Sequence, residues 1–267
     1  MATNIIVIGA LGKMGREIIA CALGDRSVEL TGCVEHPGHP QMGSDIGECI
    51  GHGNVGTKVT GDVLSLPIET SVIIDFTSPQ ATGALCGKLA SRKTSMIIGT
   101  TGMSEIELEK VRKLSVVCPV VFSPNMSLGV NLLFYLTEIV ASKLNDDFDI
   151  EIIEAHHRLK KDAPSGTAKK LGEIAAAALG LSYEKAIKNG RTGITGERTK
   201  KEIGMHAVRG GDIVGDHTVL FAGPGERLEL RHMAHSRNAL ARGAVSAAKW
   251  ISLKKPGFYT MREVLGF

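Results

Sequence analysis

The segment at residues 154–168, EAHHRLKKDAPSGTA, brings several nitrogen-bearing side chains next to a predicted helix start. His156 and His157 end a strand-like apolar run, and Lys160 follows in a short polar loop. A histidine or a lysine can give a proton, near neutral pH, to a group that gains negative charge as it accepts hydride. The cluster therefore predicts a site that holds a small dianion and protonates it during a reduction.

The helix predicted over 165–179 supplies the second part of this site. Ser165, Gly166 and Thr167 place hydroxyls and the first backbone N–H groups of the helix at its N-terminus, where a carboxylate is stabilised. Each member also has a simpler explanation, because a loop lysine is usually only solvated and Ser165 could serve only as a helix N-cap. Their combination in one segment favours the binding site.

A glycine-rich turn near the N-terminus indicates a dinucleotide site. The segment GALGKMG places Gly9, Gly12 and Gly15 after a predicted strand at 4–8 and at the start of a helix. The first glycine permits the tight bend, the second lets backbone N–H groups approach a pyrophosphate, and the third lets the helix pack on the sheet. The spacing differs from the commonest fingerprint at Leu11, so the prediction depends on the strand and helix around the turn.

Glu35 and His36 stand where the second predicted strand ends, and they bear on the choice of cofactor. An acid at this point binds the adenine ribose hydroxyls and repels the 2′-phosphate of NADP, so Glu35 favours NAD. The alternative is that Glu35 is only a solvated loop acid. A neutral histidine attracts that phosphate less than an arginine would, so His36 predicts that NADP use is possible but weaker.

Two further turns are candidates for contacts with the nicotinamide half of the cofactor. GTTG at 99–102 and SPN at 123–125 both follow predicted buried strands. Ligands of open α/β sheets bind at the carboxyl ends of such strands. Taken singly, each segment could be an ordinary turn.

The elements that must position these residues divide the chain into two predicted domains. Residues 1–127 alternate strands with helix-length segments, which predicts a Rossmann-like parallel sheet, and a terminal helix at 239–252 should return to it. We therefore predict a dinucleotide-binding domain over 1–127 and 237–267. The predicted elements are strands at 4–8, 28–34, 72–76, 96–100 and 119–125, and a helix at 104–115 that opens with a Ser104–Glu107 capping box.

Residues 128–236 predict an α+β domain with an open mixed or antiparallel sheet, which would bind the substrate. The segment at 188–201 is polar and glycine-rich and predicts a long mobile loop. The other predicted elements are a helix at 129–144, a strand at 149–157, the helix at 165–179, and three runs expected to pair as antiparallel strands, GMHAVRGG, DIVGDHTVLFAG and ERLELRHMA.

Composition excludes several classes of function. The net charge of +3 and the lack of a long basic run argue against a nucleic-acid partner. The N-terminal apolar run is cut by Gly9 and Gly12, which argues against a signal peptide or a membrane span. Five cysteines without a Cys-x-x-Cys pair predict no disulfide framework and a reducing cytoplasm. Cys33, His36 and His39 lack a second ligand pair, so we predict no metal site.

These motifs occur together, and in this order, in one enzyme family. The chain resembles the 4-hydroxy-tetrahydrodipicolinate reductases, also called dihydrodipicolinate reductases, over nearly its whole length. The resemblance rests on GALGKMG, IDFTSP, IIGTTG, SPNMSLGVN, EAHHRLKKDAPSGTA, GDIVGDHTVLF and GERLELRHMAHSR. It implies NAD(P)H-dependent reduction of a small cyclic dicarboxylate in the diaminopimelate route to lysine. It also implies a homotetramer, with the second domain forming much of the interface through its open sheet.

The resemblance also implies roles for individual residues. His156 matches an acid/base histidine, and Lys160 matches a proton-donating lysine. The matched substrate contacts are His157, Gly166 and Thr167, and Ser165 lies beside them. Which of His156 and Lys160 gives the proton stays open. The implied cofactor contacts are Gly9, Ala10, Leu11, Gly12, Lys13 and Met14 at the pyrophosphate, Glu35 and His36 at the ribose, and Gly99, Thr100, Thr101, Ser123, Pro124, Asn125 and Met126 on the nicotinamide side.

The residues leave two other functions open. The chain could be another NAD-linked reductase that acts on a small oxo or imino acid. It could also be a non-catalytic regulator that senses NAD. Replacement of Lys160 separates a catalyst from a sensor, because only a catalyst would lose turnover while it keeps its affinity for NADH.

Overall fold

A computed structural model describes residues 2–267, which fold as two compact units. The first unit runs to Leu128 and also contains Arg237–Phe267, and the second is Gly129–Ser236. The strands are β1 Thr3–Ile8, β2 Val28–Val34, β3 Val59–Thr60, β4 Val72–Asp75, β5 Ser95–Ile98, β6 Pro119–Phe122, β7 Asp149–His156, β8 Ile187–Asn189, β9 Ile203–Arg209, β10 Gly215–Gly223, β11 Glu226–Ala234 and β12 Gly257–Tyr259. The helices are α1 Lys13–Leu23, α2 Ile46–Ile50, α3 Pro79–Leu89, α4 Glu105–Val117, α5 Leu128–Leu144, α6 Gly166–Ala178, α7 Tyr183–Ala186, α8 Asn238–Ile251 and α9 Met261–Leu265.

The described part of the first unit contains a seven-stranded sheet in the order β12-β6-β5-β4-β1-β2-β3. All of its strand pairs are parallel, so the Rossmann-like prediction is confirmed. The strand order reverses between β1 and β4. In an open parallel sheet, the crevice beyond the carboxyl ends of the strands at such a reversal is where ligands bind.

The strands of this sheet contain apolar runs because helices cover both faces of the sheet and bury the side chains on each face. Ile5 and Val7 face one side, where they belong to a buried cluster with residues of α1 and α8 such as Ile18 and Ala244. Ile6 faces the other side and joins a cluster with residues of α3 and α4. Side chains alternate between the faces of a strand, so consecutive apolar residues serve two cores.

The sheet of the second unit has the order β11-β10-β7-β9-β8. The predicted antiparallel pairing is confirmed for the last two runs, because β10 pairs antiparallel with β11. β10 also pairs antiparallel with β7. The antiparallel prediction was wrong for the run GMHAVRGG, because β9 pairs parallel with β7. β7 lies between β9 and β10, so these two strands cannot pair although they follow each other in the chain.

The segment at 188–201 is not simply the mobile loop that its composition predicted. Its first residues belong to β8, which pairs parallel with β9. Beyond β8, Arg191 and Arg198 form ion pairs with Glu151 of β7 at 2.8 Å and 2.9 Å. These partners lie 40 and 47 residues away in the chain, so local composition could not reveal them.

One face of the second sheet is covered by α6. Leu171 and Ala175 of this helix pack in a buried cluster with Ile152 of β7 and Phe221 of β10. Ser165 is the N-cap of α6, and Gly180, with φ of +67°, follows shortly after its end. Among residues 2–267, no helix combines the length and the apolarity that crossing a bilayer requires.

Candidate active site

The glycine turn after β1 has the shape of a pyrophosphate site. Gly9 has φ of +67°, and a Cβ on Gly15 would lie 2.1 Å from the carbonyl oxygen of Gly9. Gly12 is the N-cap residue of α1 and provides no side-chain cap. A larger residue at Gly15 would push α1 away from the turn, so the close approach that an anion needs depends on these glycines.

Most backbone N–H groups within the turn are already bonded to the protein. The N–H of Ala10 donates to Val34, that of Leu11 to the Glu35 carboxylate, and that of Gly12 to Gly9. The first N–H groups of a helix have no partner inside the helix. Those of α1 belong to Lys13 and Met14, so these two residues are better placed for an anion than Ala10 and Leu11, which are buried.

Glu35 is held in place by the same turn. Its carboxylate accepts the N–H of Leu11 at 3.0 Å and the N–H of His36 at 2.9 Å. His36 is exposed, and its Nδ1 accepts the N–H of Gly38 at 3.2 Å. The neutral His36 ring therefore carries its proton on Nε2, where it can act as a donor.

The two nicotinamide-side segments follow β5 and β6 but differ in what they expose. Thr101 is exposed, whereas Thr100, Ser123 and Met126 are buried. The hydroxyl of Ser123 donates to the carbonyl oxygen of Asn125 at 2.7 Å. The side chains of the buried members are engaged within the protein, so only their backbone groups are candidates for contact with a ligand. Gly99 is buried and Pro124 is exposed.

The centre of the second unit's site is a pair of buried side chains on β7. Glu154 is fully buried, and its carboxylate accepts a hydrogen bond from Nδ1 of His156 at 2.5 Å. Arg209 of β9 donates to both oxygens of this carboxylate, at 2.9 Å and 2.8 Å. Glu154 therefore sets the tautomer of the neutral His156 ring, with the proton on Nδ1 and an acceptor lone pair on Nε2.

The pKa shifts of this pair follow from burial and from its neighbours. Burial lowers the pKa of His156, and Lys160 and Arg209 add to this effect, although Glu154 opposes it. Burial works to raise the pKa of Glu154, but the bonds from Arg209, His156 and Ser165 outweigh it and hold that pKa below its ordinary value. At pH 7 the pair is therefore a carboxylate and a neutral imidazole.

The start of α6 is joined to the same carboxylate. The N–H of Ser165 donates to Glu154 at 3.1 Å, and the Ser165 hydroxyl accepts the N–H of Ala168 at 3.2 Å. Ser165 is buried, and both of these groups are used within the protein, so its side chain caps the helix instead of facing a ligand. Gly166 is exposed and Thr167 half-buried, and the N–H groups of these two residues are the better candidates for a carboxylate.

Lys160 and His157 lie in the loop that follows β7. The ammonium of Lys160 donates to the Asp162 carboxylate at 2.9 Å, and its side chain is 21% exposed. Asp162 is itself held by Arg209, which donates to its carbonyl oxygen at 2.6 Å. His157 is half-buried, and its Nδ1 is buried without a hydrogen-bond partner among residues 2–267.

Sequence reasoning missed three members of this cluster: Glu154, Arg209 and His217. His217 of β10 bonds to the Ser165 hydroxyl at 3.0 Å, and burial lowers the pKa of this histidine to about 4. Glu154 sits two residues before His156 on the same face of a strand, and this spacing is a local signal for the pair. Arg209 and His217 are more than fifty residues from their partners, and no local pattern identifies them.

Comparison with known proteins identifies the family. Residues 3–126 match the family model described as "Dihydrodipicolinate reductase, N-terminus", and residues 129–265 match the one described as "Dihydrodipicolinate reductase, C-terminus". The 4-hydroxy-tetrahydrodipicolinate reductase of Syntrophus aciditrophicus (strain SB) is 50% identical over 262 residues, which cover 98% of each chain. The protein of the same name from Citrifermentans bemidjiense is 48% identical over 263 residues, again covering 98% of each chain.

A solved structure shares the fold. The structure described as dipicolinate-bound dihydrodipicolinate reductase from Paenisporosarcina sp. TG-14 matches with a TM-score of 0.76 and 24% sequence identity. The match covers 97% of this chain and 98% of that one. With both family models matched along almost all of its length and with relatives at about half identity, the chain belongs to the dihydrodipicolinate reductase family.

Proposed function

We propose that the chain catalyses the NAD(P)H-dependent reduction of 4-hydroxy-tetrahydrodipicolinate to tetrahydrodipicolinate in the diaminopimelate route to lysine. The names of its relatives support this reaction. The observation that carries the proposal is the buried Glu154 carboxylate, which binds His156 and the start of α6 together. That arrangement holds an imidazole beside a helix N-terminus suited to a carboxylate.

The substrate is a dianion, and the site offers positive groups for it. The N–H groups of Gly166 and Thr167 receive one carboxylate at the N-terminus of α6, and His157 adds a contact. Lys160 supplies a full positive charge. Because Asp162 holds Lys160 through an exposed ion pair, the ammonium can exchange that partner for the substrate at little cost.

The reaction adds one hydride and one proton and releases water. When bound, the reduced nicotinamide supplies the hydride. Lys160 gives the proton in this proposal, because the lone pair on Nε2 of the neutral His156 accepts a hydrogen bond rather than donating one. His156 then orients Lys160. It also receives or passes on the proton that returns Lys160 to its ammonium form.

The first unit holds the cofactor in this proposal. Its glycine turn fits a pyrophosphate, because a Cβ at Gly15 would fill the space between turn and helix. Glu35 would receive the adenine ribose and disfavour a 2′-phosphate, so NADH is preferred, and NADPH is used less well. All five cysteines are free thiols, which fits a reducing compartment such as the cytoplasm.

Steady-state kinetics test the proposal directly. The cyclic substrate is generated in situ, and the oxidation of NADH and NADPH is followed in parallel with simple 2-oxo acids as competing substrates. We expect rapid oxidation only with the cyclic dicarboxylate and a higher kcat/KM with NADH. Turnover of the oxo acids instead would identify another reductase of this layout, and binding of NADH with no turnover of either substrate would support a sensor.

A further inference from the structure

Asp75 is a buried acid that the proposed mechanism does not use. It ends β4 and is fully buried. Its Oδ1 accepts the N–H and the hydroxyl of Thr77, at 2.9 Å and 2.6 Å, and its Oδ2 accepts the hydroxyl of Thr82 at 2.7 Å. Within residues 2–267, its carboxylate bonds only to these two threonines. Burying an acidic group without a cation beside it costs folding free energy, so a functional role for Asp75 is worth seeking.

Thr82 connects Asp75 to the loop at residues 99–102, which is predicted to contact the nicotinamide. A hydroxyl has one hydrogen, and that of Thr82 goes to Asp75, so the Thr82 oxygen must accept from the hydroxyl of Thr100, 2.8 Å away. Both threonines are buried. The backbone adds a second tie, because the N–H of Gly99 donates to the carbonyl oxygen of Asp75 at 2.9 Å.

The same carboxylate also reaches the pyrophosphate turn. Thr77, held by Asp75, places its methyl group 2.8 Å from the position that a Cβ on Gly9 would occupy. One buried acid is thus connected to the turn after β1, to the first residues of α3 and to the loop after β5.

We propose that Asp75 is a positioning residue that holds Thr100, through Thr82, so that the backbone of 99–102 is shaped to bind the nicotinamide half of the cofactor. This inference rests on the proposed function and on the prediction from the sequence that the 99–102 loop receives the nicotinamide. The adenine half is bound elsewhere on the first unit, near Glu35, and does not depend on this chain of hydroxyls. Losing the chain should therefore affect the two halves of the cofactor differently.

Binding measurements on purified protein can distinguish the contributions of the nicotinamide half and the adenine half of the cofactor. NADH and ADP-ribose, which lacks the nicotinamide, are titrated into the wild type and Thr82→Val by fluorescence and calorimetry. We expect Thr82→Val to bind NADH about three- to tenfold more weakly, as the loss of one hydrogen bond implies, with its affinity for ADP-ribose unchanged. Thr82→Ser keeps the hydroxyl and should restore NADH binding.

Further variants guard against a trivial loss of folding. Thr100→Val interrupts the same chain at its outer end and should give the same selective loss. The double variant should lose no more than either single change, because both break one chain. Thr94→Val is the control: Thr94 is a buried threonine of the first unit, and its hydroxyl bonds to the backbone of Ser71 away from this chain.

Two results would overturn the inference: unchanged NADH affinity in both Thr82→Val and Thr100→Val, or an equal loss of NADH and ADP-ribose. The result is independent of turnover. A wild type that fails to reduce the cyclic dicarboxylate, but shows the selective loss of NADH binding in these variants, would overturn the proposed function and leave the positioning role in place.

Discussion

At the scale of single residues, His156 and Lys160 differ in what surrounds them. His156 is buried and bonded to a carboxylate that Arg209 already neutralises, so the ring stays neutral. Lys160 is partly exposed, and its ammonium bonds to the exposed Asp162. A proton donor must have an N–H that is not already held by the protein. The one N–H of the neutral His156 is bonded to Glu154, whereas Asp162 takes only one of the three N–H groups of the Lys160 ammonium.

Replacement of Lys160 tests this division of roles. We expect Lys160→Ala to lower kcat by two or more decades, on the order of a lost general acid, while the Kd for NADH stays nearly the same. Rapid-mixing turnover and NADH titration measure the two quantities. Lys161→Ala is the matched control, since it removes an adjacent, exposed lysine; if both variants behaved alike, Lys160 would have no special part in the chemistry.

At the same scale, replacement of Glu35 tests the proposed preference for NADH. We expect Glu35→Ala to weaken NADH binding more than NADPH binding, because it removes both the ribose acceptor and the charge that repels a 2′-phosphate. The variant also frees the N–H of Leu11, so both affinities should fall somewhat. The ratio of kcat/KM values for the two cofactors is the measurement. Glu29→Ala changes an exposed acid on β2, the strand that Glu35 follows, and should leave that ratio unchanged. Equal losses for both cofactors would remove Glu35 from the ribose site.

At the scale of elements, one ion pair with a fully buried carboxylate connects three of them. Glu154 of β7 binds Arg209 of β9 and the N–H of Ser165 at the start of α6. The strands and the helix are therefore held in register at the point where the proposed chemistry occurs. Removing one partner of a buried pair leaves the other charge uncompensated.

We expect Glu154→Gln to lower the free energy of unfolding of the second unit by about 3 kcal/mol at pH 7. The pKa of Glu154 is lower in the folded than in the unfolded chain, so its stabilisation is complete above the ordinary value of 4.5. It is lost as pH falls through the folded pKa. The difference in the free energy of unfolding between wild type and Glu154→Gln should therefore become smaller below about pH 4.

Urea unfolding followed at several pH values measures this gap. Glu226→Gln, which changes an exposed acid on β11, is the control and should unfold like the wild type throughout. A gap between wild type and Glu154→Gln that stayed constant down to about pH 3 would show that the carboxylate charge is not the source of the stability.

At the scale of the whole molecule, the face of the second sheet opposite α6 carries exposed apolar residues. The register puts Val208, Ala155, Asp216 and Met233 in one row across four strands. Val208 is 48% exposed and Met233 44%. Such a face is a candidate interface, and a homotetramer formed through this sheet is the assembly we propose.

Val208→Asp tests that assembly. A charge placed in an apolar interface loses its hydration without a partner, so we expect the variant to run as a smaller species than the wild type in light scattering after gel filtration. Ile106→Asp is the control, because Ile106 is also apolar and is even more exposed, at 73%, but belongs to the first unit. A wild type that is already monomeric, or a Val208→Asp variant of unchanged mass, would contradict the proposed interface.

Local patterns in the chain determined much of this molecule. Strands and helices can each be predicted from the periodicity of apolar residues close together in the chain. Their alternation then predicts the parallel sheet. The glycine turn and the start of α6 are also local, since a positive φ at Gly9 and the N-cap Ser165 each act within a few residues. The adjacent histidines and the lysine mark the candidate site for the same reason, because they lie within five residues of one another next to a helix start.

Tertiary structure alone decided where β9 pairs in the second sheet and what surrounds the imidazole of His156. The placement of β7 between β9 and β10 turned an expected antiparallel strand into a parallel one. It also brought Arg209 and His217 to residues more than fifty positions away. Strand pairing is chosen by which apolar faces can be buried together, and the order of residues along the chain contains no measure of that choice.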